Sequence, residues 1–123
     1  GGPGADTFAW KHPSDLSGKD IISDFSVTEG DKLSFRDMFS EDDTLASFLS
    51  SKVTGLSLQL DGQEGKDLLT FSIQGGLTQK DVVVELSPND SSYESFRSSF
   101  AEAADDQQAQ ELLSLFMLQT LCN

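Results

Sequence analysis

Residues 1–9 read GGPGADTFA, and this nonapeptide constrains the chain more than any other stretch of it. It fits the pattern G-G-x-G-x-D-x-U-x, with Phe8 as the large apolar residue. Glycines let the backbone turn tightly and aim its carbonyls inward, and the Asp two residues past the last glycine adds a carboxylate to the same place. Phe8 then turns inward to pack beneath a neighbouring coil. A hard cation such as calcium takes about 6–8 oxygen ligands, roughly twice what one such turn offers, so a full site needs a second turn beside the first. The competing explanation is an ordinary glycine-rich turn, or a cloning scar, ahead of a strand. The match at every defined position and the strand pattern that follows favour the repeat.

The charge agrees with a cation-binding role without proving it. Lys and Arg number 8 against 21 Asp and Glu, a net charge of −13. Such a surface repels phosphate backbones, which need Lys and Arg to displace counterions, so nucleic acid is excluded as an expected partner. Acidity by itself is equally explained by a solvated surface that maintains solubility. No apolar run is long enough to span a bilayer, and no signal peptide opens the chain. Gly1-Gly2 stand where an initiator Met would, which points to a fragment of a longer protein. The single cysteine, Cys122, allows no internal disulfide.

Beyond the nonapeptide, residues 11–19 hold Pro13, Ser14 and Gly18 and read as a loop. DIISDF at 20–25 alternates as a strand, with Asp20, Ile22 and Asp24 on one side and Ile21 and Phe25 on the other. Glu29-Gly30-Asp31 turns the chain into an extended segment with Leu33 and Phe35. Ser40 and Asp43 resemble a capping box before a short helix carrying Leu45, Phe48 and Leu49. Three alternating strands follow on Leu56, Leu58 and Leu60, on Leu69, Phe71 and Ile73, and on Val82, Val84 and Leu86, joined by loops that suit antiparallel hairpins. Tyr93, Phe96 and Phe100 then mark an amphipathic helix. A second helical stretch runs from Gln107, with Asp105-Asp106 as a break or a cap. The expected core is Phe8, Ile22, Leu33, Phe35, Leu58, Phe71 and Val84.

GGPGADTFAW, GKDIISDF and GDKLSFRDMF together resemble the closing segment of repeats-in-toxin (RTX) proteins, most of all the C-terminal secretion-target domain of large bacterial adhesins exported by type I machinery. The resemblance covers residues 1–39 in sequence and the remainder in pattern or position. It implies a mainly β fold: calcium-binding β-roll turns leading into a small antiparallel, sandwich-like cap with short helices at the C-terminus. Three segments are expected, namely the last repeat turn and capping segment at 1–39, a helix with antiparallel strands at 40–88, and a helical secretion-signal segment at 89–123. By the same resemblance, Asp6 and the carbonyls of Gly2 and Gly4 bind calcium, Asp20 contributes from the adjacent turn, and Asp24 is a further ligand or else holds the turn at 29–31. The implied partners are upstream RTX repeats of the same chain and a type I secretion transporter that engages the C-terminal segment. The implied location is secreted or cell-surface, in bacteria.

Catalysis is not expected. His12 is the lone histidine and Cys122 the lone cysteine, too few for a Ser-His-Asp triad, a Cys-His pair or the H-E-x-x-H helix of secreted metalloproteases. Two other readings stay open from sequence. The parent is a secreted protease, lipase or toxin rather than an adhesin, or the fragment is a ligand-binding β-domain that uses Trp10, Tyr93 or a sheet face.

Overall fold

The computed structural model describes residues 4–9, 18–35, 44–62, 65–75 and 78–122. These form strands β1 (Thr7–Ala9), β2 (Gly18–Phe25) and β3 (Lys32–Ser34), helix α1 (Leu45–Lys52), strands β4 (Val53–Gln59), β5 (Asp67–Gly75) and β6 (Thr78–Leu86), helices α2 (Ser91–Ala101) and α3 (Asp106–Thr120), and a closing strand β7 (Leu121–Cys122). The strands make a three-stranded sheet in the order β1-β3-β7 and a four-stranded sheet in the order β2-β6-β5-β4.

The fold is therefore mixed α/β, which corrects the expectation of a mainly β chain. Among the described residues there is no β-roll. A β-roll stacks its strands in parallel, coil upon coil, each on the strand one coil along the chain. Here β2 pairs in parallel with β6, some 60 residues later, and β3 takes the C-terminal β7 as its second neighbour. The four-stranded sheet is accordingly mixed. Its β4-β5 and β5-β6 pairs are antiparallel hairpins, as the loops indicated, and its β2-β6 pair is parallel. The helices are also no mere appendage, because their buried residues belong to the same apolar cluster as those of the strands.

Alternation decides which face of the sheet is covered. Asp67, Leu69, Phe71 and Ile73 on β5, and Lys80, Val82, Val84 and Leu86 on β6, are buried, while the residues between them face the other way. Phe35 joins helix to sheet: its ring stacks on Phe48 of α1 at 5.5 Å and meets Phe71 edge-on at 6.2 Å. Leu113, Phe116, Met117 and Thr120 form the buried stripe of α3 at i, i+3, i+4 and i+7, which leaves Leu115 63% exposed. The expected core is buried except Phe8, which is only partly covered and packs against Phe25 at 6.0 Å.

Two irregularities change the phase of a strand. Two residues of β2 lie between Ile22 and Phe25 where β6 has one between Val84 and Leu86, so a bulge brings Phe25 to the same side as Ile22. Strict alternation had put Phe25 with Ile21, which is 59% exposed. A second bulge, between Thr54 and Ser57, passes through Gly55 at φ +63°. The capping box of α1 lies four residues past the expected Ser40 and Asp43, at Thr44 and Ser47. Thr44 Oγ1 accepts from the Ser47 N–H at 3.1 Å, and Ser47 Oγ accepts from the Thr44 N–H at 2.8 Å. Ser40, Asp43 and Trp10 lie outside the described residues. Asp105 resolves the break between the last helices as a true cap, accepting from the Gln108 N–H at 2.8 Å.

Candidate functional site

The nonapeptide leads into β1, which pairs in parallel with β3, and the turn between β2 and β3 holds the two together. Gly30, at φ +84°, allows this turn, in which the Gly30 N–H reaches the Val27 carbonyl and the Asp31 N–H the Ser26 carbonyl. Asp31 is 2% exposed and works as a bracket. One carboxylate oxygen accepts from the Asp6 N–H and the other from the Ser26 N–H, both at 2.9 Å. The Lys32 N–H returns to the Asp6 carbonyl at 2.9 Å. Asp6 is thus fixed through its backbone.

Of the other expected ligands, Gly4 and Asp20 are among the residues described in full. Gly4 is exposed at φ +90°. Asp20 lies in β2, in the other sheet from β1, and its carboxylate is 3.2 Å from the Lys80 ammonium. Gly2, His12 and the Asp24 side chain fall outside the described residues. Among the described residues, no three His, Cys, Asp or Glu side chains form a group able to hold a metal ion.

The same turn meets the C-terminal part of the chain. Asp90 is the N-cap of α2, but its carboxylate also accepts from the Val27 N–H at 2.7 Å, from the Thr28 N–H at 3.1 Å and from the Thr28 hydroxyl. Burial pushes this carboxyl's pKa up, yet the hydrogen bonds from Thr28, Val27 and Tyr93 outweigh it and leave the pKa below the ordinary Asp value. A depressed folded-state pKa gives stability that is complete above the unfolded value and is lost as pH falls through the folded one. Asp90→Asn keeps a capping oxygen and removes the titration, so it is expected to flatten the loss of stability below about pH 4. Urea unfolding across that range checks this. An unchanged acid limb would mean that other carboxyls carry it.

A second polar cluster sits under α2. Asp67 is fully buried, accepting from the Tyr93 hydroxyl, from Arg97 Nε at 2.7 Å and, through its other oxygen, from the Asp61 N–H at 2.9 Å. Arg97 also pairs with the exposed Asp61 carboxylate at 2.9 Å. Tyr93 is itself fully buried and cannot serve as an exposed stacking platform for a ligand. Between the turn at 26–29 and the start of α2 runs an open groove of about 610 Å³. Lys66 closes one side by donating to the Ser23 carbonyl at 3.0 Å.

Asp31 and Asp90 were not singled out as site residues from sequence. The signals were present: Asp31 follows the Gly of a turn, and Asp90 stands directly before an amphipathic stripe, where an N-cap belongs. Compared with known protein families, curated proteins and solved structures, the chain matches none. No helix among the described residues is long and apolar enough to cross a membrane.

Proposed function

We propose that this chain is the non-catalytic, calcium-dependent cap and type I secretion-signal region of an extracellular bacterial RTX protein, with an adhesin as the parent. The observation that carries the reading is the position of the nonapeptide strand. Among the described residues β1 has a neighbour on one side only, so its outer edge offers backbone donors and acceptors to a preceding parallel strand. Its apolar residue, Phe8, is already packed inward on Phe25. Upstream glycine-rich repeats would stack on this edge, and calcium would lie at Asp6 and the Gly2 and Gly4 carbonyls, completed by oxygens from those repeats. A secreted protease, lipase or toxin with the same closing segment is the alternative parent.

The export half of the proposal rests on the C-terminal segment. From Leu112 to Asn123 no residue is charged, in a chain that is 24% charged overall. A transporter that takes an unfolded substrate end could engage this stretch in a cytoplasm too poor in calcium to fold the repeats. Removing residues 91–123 from a passenger fused to this chain is expected to leave the passenger in the cytoplasm of cells carrying a matched type I transporter. Asp6→Ala should leave export intact and reduce the calcium-dependent gain in melting temperature of the chain joined to its upstream repeats. Normal export of the truncated fusion would rule out the signal role.

A further inference from the structure

Residues 26–34 hold both ends of the described chain. Toward the N-terminus, Asp31 and Lys32 fix the Asp6 peptide group from both sides, and β3 pairs with β1 through Phe8 and Leu33. Toward the C-terminus, Val27 and Thr28 donate to the Asp90 cap of α2. Lys32 Nζ donates to the Gln119 carbonyl in the last turn of α3 at 2.6 Å, and Leu33 pairs with Leu121 of β7. The two helices are joined in turn, because Phe96 of α2 stacks on Phe116 of α3 at 4.4 Å. We propose that this segment is a clasp: docking of the nonapeptide strand tightens the start of α2, the last turn of α3 and β7 against the domain, and its undocking loosens them together.

The physical reason lies in shared constraints. One carboxylate, Asp31, ties Asp6 and Ser26 at once, so loss of β1 exposes it to water and removes a restraint on the turn that feeds Asp90. Among the described residues, the same loss leaves β3 with β7 as its only strand neighbour. Elements that share contacts in this way open as one cooperative unit. The clasp rests on the proposed function only for its meaning in export, where it would make the C-terminal segment available to the transporter until the nonapeptide end is in place.

Native-state hydrogen exchange of the full chain in rising, sub-denaturing urea tests the coupling. The amides of Asp6, Lys32, Tyr93 and Leu121 are expected to converge on one opening, easier than that of Phe71 and Val84. In Asp31→Asn this shared opening should become at least about fivefold more frequent at all four positions. Lys32→Met, which keeps the Asp31 bracket, gives the same reading if Asp31→Asn does not fold. Faster exchange at Asp6 and Lys32 with Tyr93 and Leu121 at wild-type rates would overturn the clasp. Secretion of a passenger fused to Asp31→Asn is a separate arm: convergent exchange with export unaltered would retain the clasp and count against the export reading.

Discussion

Phe71→Ala is expected to destabilise the domain by about 3–5 kcal/mol, the usual cost of emptying a buried phenylalanine site. Phe71 is fully buried in the middle of β5, flanked on its own face by Leu69 and Ile73 and touched edge-on by Phe35, which bridges to α1. None of these neighbours can close the gap without shifting a strand or a helix, so most of the cavity would persist. Native domains are stable by only about 5–15 kcal/mol, and a loss of this size removes a large part of that margin. Urea unfolding should show the midpoint falling sharply, or the cooperative transition disappearing. Ile21→Ala, at an exposed position of β2, is the control and should change stability by no more than about 0.5 kcal/mol. Similar effects at the two positions would mean that the sheet buries its other face.

The second large effect belongs to Asp67. Asp67→Ala strips the buried acceptor from Tyr93 and Arg97 together and is expected to cost about 3 kcal/mol, the lower end for breaking a buried pair, because Arg97 keeps some access to water and to Asp61. An optical signature accompanies it. Tyr93 is the only tyrosine in the chain, so tyrosinate absorbance reports this residue alone. Burial raises its pKa well above the ordinary phenol value, reinforced by the hydrogen bond to Asp67 and by that carboxylate's charge. A raised folded-state pKa gives stability that is complete below the unfolded value, near 10, and is lost as pH rises beyond it. Tyrosinate should therefore appear only as the chain unfolds, with absorbance and far-ultraviolet circular dichroism changing together. Ionisation in a still-folded protein would mean that the hydroxyl is open to water.

Much of this architecture is readable locally. The alternation at Leu69, Phe71 and Ile73 and at Val82, Val84 and Leu86 marks two strands and their buried face, and Tyr93, Phe96 and Phe100 mark α2. The choice of strand neighbours is not readable in this way. Periodicity says that DIISDF is extended, but nothing within a dozen residues of it says that it will lie parallel to β6. The bulge that turns Phe25 inward is similarly silent, because it depends on the strand opposite. Leu121 and Cys122 continue an apolar helical run, and only pairing with β3 makes them a strand. At the candidate site, the choice of Asp6, Asp20 and Asp24 comes from the resemblance to RTX closing segments. What Asp31 and Asp90 do depends on amides that lie 25 and 63 residues away.

The central place of β3 also has a kinetic consequence. Its hydrogen-bonding neighbours are the first and the last strands described, and the Lys32 contact to Gln119 closes a loop of 87 residues. Closing so long a loop costs entropy before any contact repays it, whereas the β4-β5 and β5-β6 hairpins need only short closures. The hairpins can form while the chain is still emerging from a ribosome. The three-stranded sheet must wait for residue 122, so its closure is the last pairing the chain can make.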